Sequence, residues 1–182
     1  FWARTRRTAL ERPFTAADTY SIAGYLAYSF AAAFRTEPAL TAVRDQLGPD
    51  YLRIFDITLS VLQEKDALMR VAYELAEDCA KENVRHAEVR YSPILHQKGG
   101  LDLPDILEPV LHGLKEAERD FGLSTGVILC GMRNISPKRS VELAELAVAY
   151  RKKGVIGFDL AGEEKDYPAK DHKEAFEIVL SH

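Results

Sequence analysis

Apolar and polar positions follow two rhythms along this chain, and from residue 64 onward the chain switches between them at regular intervals. A helical period covers residues 64–81, with Leu68, Val71, Ala72, Leu75 and Cys79 on one face and Glu, Asp and Lys opposite. Residues 84–91 alternate with a period of two. Val84, His86, Glu88 and Arg90 share one parity, and Arg85, Ala87, Val89 and Tyr91 share the other. A second helical pattern, opened by Pro104, spans residues 105–120, faces the interior with Leu107, Val110, Leu111, Leu114 and Phe121, and is closed by Gly122. Residues 125–133 are almost uniformly apolar, as in a strand covered on both faces. Ser136 and Pro137 supply an N-cap and first-turn proline for a third helix reaching about residue 152. Gly154 introduces a strand over 155–161, and a last helix spans roughly 170–180 after Pro168.

This alternation predicts parallel strands joined by right-handed crossovers. Three such strands fit an open α/β sheet or a consecutive arc of a (β/α)8 barrel. The parities favour the barrel. His86, Glu88 and Arg90 lie on one face of a central strand, and three ionisable groups cannot all press against a helix layer without a large desolvation cost. They require a polar, enclosed side. In the last strand Ile156, Phe158 and Leu160 are expected against helices, with Val155, Gly157, Asp159 and Ala161 facing the same polar interior. The fold class predicted is therefore α/β, a partial (β/α)8 TIM-type barrel of about three consecutive βα units with parallel strands.

The first quarter reads differently. Residues 1–18 are basic at the start and broken at Pro13; residues 19–34 carry no charge. Tyr20, Ser21, Tyr25, Tyr28 and Ser29 make the latter half polar, so a buried or partner-covered helix is expected there rather than a membrane span or signal peptide. Residues 51–62, dense in apolar side chains, predict a short helix with an irregular end. Both ends of the chain look cut, so it is expected to be an internal piece of a longer protein. The net charge of -4 is mild, and no basic patch points to nucleic acid. Cys79 and Cys130, far apart in apolar surroundings, read as buried thiols of a reducing compartment such as the cytoplasm.

Phosphate-loop, dinucleotide-binding, nucleophile-elbow and H-E-x-x-H motifs are absent. Glu88, Arg90 and Asp159 are expected to form a structural ion-pair network, and His86 to be a hydrogen-bonded interior histidine. His96 is expected at the surface, His112 partly exposed, and Asp171-His172 at a solvated helix start. Glu163-Glu164 reads as a solvated pair. Gly162 is either a turn glycine or a backbone position that a ligand approaches closely.

Glu88-Val89-Arg90-Tyr91-Ser92-Pro93 and Asp159-Leu160-Ala161-Gly162-Glu163-Glu164 resemble two signature segments of the adenosine deaminase family, in spacing and in the strands that carry them. Tyr51-Leu52-Arg53-Ile54-Phe55-Asp56 is similar to the helix that lids the family's purine pocket. The resemblance runs from residue 50 to the end and does not reach 1–49, so 50–182 is read as the central part of the barrel domain and 1–49 as a poorly matched, helical segment. It implies a zinc-activated water that adds to C6 of a purine nucleoside, releasing ammonia and converting adenosine or 2′-deoxyadenosine to the inosine product. It also implies that Gly162 contacts the purine, that Ser92 lies at the pocket rim, and that Tyr51, Leu52 and Phe55 form the lid. Glu88, Arg90 and Asp159 would support the site from behind.

The family's H-x-H-x-D-G metal motif does not occur here, and its H-A-G-E segment would begin just after His182. No residue of this chain matches a metal ligand or the catalytic acid/base, so the chain by itself is expected to be inactive. The alternatives are a deaminase of a related 6-aminopurine such as aminodeoxyfutalosine, or a non-catalytic, metal-less barrel homologue. The partner implied is a small-molecule purine nucleoside, with neither nucleic acid nor membrane; the oligomeric state is left open.

Overall fold

A computed structural model of the chain describes residues 2–5, 59–162 and 164–182. In chain order its elements are β1 (Trp2–Thr5), α1 (Lys65–Lys81), β2 (His86–Tyr91), a 3-10 turn (Pro93–His96), α2 (Leu103–Phe121), β3 (Ser124–Met132), α3 (Pro137–Tyr150), β4 (Val155–Ala161), a second 3-10 turn (Ala169–His172) and α4 (Lys173–Leu180). The strands form one sheet in the order β1-β2-β3-β4. β2, β3 and β4 are parallel neighbours joined through α2 and α3, as the alternation of periods predicts. β1, which the sequence gives no reason to expect, runs antiparallel along the other edge of β2, with Trp2 opposite Arg90 and Thr5 opposite Ala87. The segment 1–49 is otherwise outside the described residues, as are Tyr51, Leu52 and Phe55.

Local chemistry explains the helix ends. The α2 N-cap is Asp102, whose carboxylate accepts the Asp105 N–H at 2.9 Å, and Gly122 closes the helix in a left-handed conformation. Asp66 in the first turn of α1 and Lys81 in its last complement the helix dipole. Ser136 occupies the N-cap position of α3, but its hydroxyl makes no capping bond; Pro137 at the first turn starts this helix.

The core joins one face of the sheet to the helices. Ala87, Val89 and Tyr91 of β2, Val127 and Leu129 of β3 and Val155 of β4 pack with Leu68, Leu75, Ile106, Val110, Leu114 and Leu143. The α1 face is the one expected, with Ala76 added; in α2 Ile106 and Ala117 are buried, while Leu111 and Phe121 pack at the core edge. The opposite parity of β2 carries His86, Glu88 and Arg90, none of them buried.

One strand departs from the simple alternation. The pairing of β3 with β4 shifts register between Val127 and Ile128, so Val155 lies beside Val127 but Gly157, not Ile156, lies beside Ile128. This bulge buries Val155 against the helices and turns Ile156 to the other face, where it lies over Gly126 and is 53% exposed. The expected orientations of Val155 and Ile156 are therefore reversed. Phe158, Asp159 and Leu160, beyond the bulge, lie beside Leu129, Cys130 and Gly131 and keep the predicted alternation.

The α1–α2 contact depends on Gly113. A Cβ at this position would stand 2.3 Å from the Met69 carbonyl oxygen, and backbone cannot step aside as a side chain can. Gly113→Ala should therefore destabilise the chain by about 1–3 kcal/mol in urea unfolding, despite the better helix propensity of alanine.

Candidate active site at the strand rim

The parallel strands bring three C-terminal ends to one edge of the sheet: Tyr91-Ser92, Met132-Arg133 and Ala161-Gly162. In an α/β sheet this is where side chains are free of the helix layer and where chemistry is carried.

Behind the rim, Arg90 and Asp159 form an ion pair at 2.6 Å across the intervening strand β3. Glu88 does not join it; its carboxylate lies 3.6 Å from the ring of His86, at the far end of β2. His86 is half-exposed rather than interior and bonds Ser124 through Nδ1 at 2.7 Å. Arg90 also touches the Cys130 thiol. Burial pushes that thiol up to about 11, with Arg90 opposing, and burial likewise pushes Cys79 up to about 11. Both cysteines are free and buried, and neither is poised as a nucleophile.

At the rim, Gly162 has φ of 108°, a conformation an L side chain rarely adopts, and its backbone is exposed. A Cβ at 162 would stand 3.3 Å from the Arg133 nitrogen. The Arg133 N–H donates to the Ala161 carbonyl at 2.7 Å, which ties the end of β4 to the turn after β3. The Arg133 guanidinium pairs with Glu164 at 2.9 Å. Ser92, at the end of β2, is 6% exposed, and its Oγ has no hydrogen-bond partner among the described residues. A buried hydroxyl left in that state costs about 1–3 kcal/mol, so this atom is suited to a group that the described residues do not supply.

Two further histidines, besides His86, differ from expectation. His96 is 3% exposed, not at the surface. The 3-10 turn after β2 folds it inward, where Nδ1 donates to the Leu62 carbonyl at 2.8 Å and the ring meets Tyr91 edge-on. Burial pulls its pKa down to about 4, against the opposing pull of that carbonyl. His172 is 2% exposed rather than solvated, and bonds Ser140 Oγ at 2.8 Å and the Arg133 carbonyl at 3.3 Å. His112 is exposed, against the Met69 sulfur.

Sequence reasoning missed a set of loop contacts in this region. The Gln63 amide donates to the Leu59 and Leu95 carbonyls at 2.7 and 3.1 Å and accepts the Lys98 N–H at 2.8 Å. Gln97 bonds Arg139, which also pairs with Glu142. These contacts knit the segment before α1 to the loop after β2, and that loop to the start of α3. A groove of about 390 Å³ on the outer surface, lined by Lys65, Met69, Glu108 and His112 among others, contains none of the rim residues. Among the described residues no group of three or more His, Cys, Asp or Glu is arranged to hold a metal ion. No helix among them is long and apolar enough to cross a membrane.

The family model described as adenosine deaminase matches residues 32–182. A probable adenosine deaminase of Dictyostelium discoideum is 43% identical over 130 residues, covering 71% of this chain and 17% of that protein. Adenosine deaminase 1 of Streptomyces coelicolor is 48% identical over 134 residues, covering 71% of this chain and 33% of that protein. The chain thus spans a third or less of these two relatives. Among solved structures, a zinc-bound cog1816 amidohydrolase from Burkholderia ambifaria superposes with a TM-score of 0.65 at 27% identity, covering 70% of this chain and 36% of that one. An adenine deaminase from Arthrobacter aurescens superposes with a TM-score of 0.64 at 24% identity, covering 72% and 40%, and bears on the fold alone. These neighbours are TIM-barrel amidohydrolases, and β2, β3 and β4 are an arc of such a barrel.

The buried His96 makes a pH prediction. Its folded pKa, about 4, lies below the unfolded value of roughly 6.5, so the unfolded chain takes up the proton first. Its contribution to stability is complete above pH 6.5 and is lost as pH falls toward 4, by about 3 kcal/mol. Urea unfolding across this window should show that loss, and His96→Asn, which keeps a donor toward Leu62, should flatten the slope.

Proposed function

This chain belongs to the adenosine deaminase family, and on that footing we propose that the whole protein deaminates adenosine and 2′-deoxyadenosine hydrolytically, yielding ammonia and inosine or 2′-deoxyinosine. The observation that carries the reading to this chain's own atoms is Gly162. Its backbone at the end of β4 is exposed and held in a conformation that favours glycine, so the main chain itself is open to a flat ring.

On this reading Gly162 lies against the purine. Ser92 supports it from the neighbouring strand end, its buried and unpartnered hydroxyl directed to substrate or to a group outside the described residues. Tyr51, Leu52 and Phe55, outside the described residues, serve as the apolar lid. Arg90 and Asp159 hold β2 and β4 in register behind the rim, and Glu88 contributes to the same polar face. Residues 50–182 form the central part of the barrel, preceded by the segment 1–49. The two free, buried cysteines agree with a cytoplasmic location.

The zinc implied for the whole protein does not fit the donors among the described residues. All five histidines of the chain are among the described residues, and within those residues none joins two further metal-ligating groups. The metal would therefore need ligands from outside the described residues, and no catalytic step is assigned to it here.

Two measurements test the proposal. The full-length enzyme should release ammonia from adenosine, and Gly162→Ala should raise KM about tenfold or more, because the new Cβ strains the backbone and presses on the Arg133 turn, displacing the rim. Turnover of another 6-aminopurine such as aminodeoxyfutalosine, with adenosine untouched, would replace the substrate. Residues 1–182 alone should neither retain zinc nor deaminate adenosine; zinc-dependent turnover by this piece would overturn the assignment of the chemistry to residues outside it.

A further inference from the structure

The most deeply buried ionisable side chain near the rim is His172, and no step of the proposed chemistry uses it. It sits in the 3-10 turn ahead of α4, yet both ring nitrogens reach other elements. Nε2 faces the Arg133 carbonyl at 3.3 Å; a carbonyl only accepts, so Nε2 carries the hydrogen. Nδ1 then accepts from the Ser140 hydroxyl at 2.8 Å. Ser140 lies in the first turns of α3, is itself buried, and packs so closely on β3 that a Cβ at Gly131 would stand 2.7 Å from its Oγ.

This set fixes a single residue, Arg133, through the peptide groups on both sides of it. The Arg133 carbonyl is held by His172, and the Arg133 N–H is given to Ala161 at 2.7 Å. Gly162 follows Ala161 directly and rests against the same Arg133 nitrogen. The guanidinium of Arg133 reaches forward to Glu164, so the loop after Gly162 is drawn to the same residue. A displacement of the 133 turn would therefore be passed through one hydrogen bond to the end of β4.

We propose that His172 is a positioning residue for the substrate rim: by holding the Arg133 carbonyl it sets the place of the Ala161-Gly162 backbone against which the nucleoside lies. This rests on the reading of Gly162 as a purine contact. His172 touches no substrate in this role; its effect passes through Arg133. The predicted consequence is on binding and orientation, because a misplacement of about 1 Å at a contact surface is felt in KM and in the geometry of attack.

The test uses the full-length enzyme with His172→Leu, which fills the space without a donor, and His172→Gln, which restores an N–H toward Arg133. Ser140→Ala is the milder companion should the leucine variant fail to fold. KM for adenosine should rise about tenfold in His172→Leu, with kcat falling less, and return to within about threefold of wild type in His172→Gln. Amide hydrogen exchange should show faster exchange over residues 131–133 and 160–164 in His172→Leu or Ser140→Ala, with α1 and β2 unchanged. A loss of folded enzyme with KM unchanged in the active fraction would overturn the proposal, as would unaltered exchange at the rim. Wild-type enzyme that leaves adenosine untouched would sink the substrate reading instead, while the exchange comparison still decides whether His172 holds the turn.

Discussion

The cost of removing charge from water divides this sheet into two unlike faces, and the remaining architecture follows from that division. Ala87, Val89 and Tyr91 can be covered by helices without loss; Glu88 and Arg90, interleaved with them, cannot. The helices are therefore committed to one side, and the other must be an interior with polar partners. The Arg90–Asp159 pair lies on that polar face. A guanidinium and a carboxylate on strands separated by a third can meet only if all three keep their register, so the pair also reports the register of the sheet.

Where one physical term dominates, the sequence was readable. Helix faces follow from apolar spacing, and β2 follows from strict alternation. The end of β4 was readable for the same reason, with Phe158 and Leu160 beside the helix-facing positions of β3 and Asp159 beside Cys130. The start of β4 was not. Val155 and Ile156 are both aliphatic, so composition cannot say which faces the helices; a bulge decided it, and a bulge has no signature here beyond nearby glycines.

At the candidate site the strand ends were legible in the sequence and the histidines were not. Gly162 stood out through the resemblance of its segment; by itself it read as a turn glycine or a close-approach position, and its φ of 108° agrees with either. His96 and His172 look like loop residues, because their partners are remote: the Leu62 carbonyl for one, Ser140 and the Arg133 carbonyl for the other. A side chain satisfied by a backbone carbonyl leaves no pattern in residue types. The same holds for Gln63, whose three contacts include two with the loop after β2. Such residues are found only once the loops are placed, and they are the ones that hold the loops in place.

The closeness of Gly131 to Ser140 has an evolutionary side. A methyl group on residue 131 would displace the hydroxyl that His172 needs, and a bulkier residue at 140 would meet β3 directly. Positions 131, 140 and 172 lie on a strand, a helix and a turn, far apart in the chain, yet each limits what the others can become. Drift at any one of them is expected to be accompanied by change at the other two.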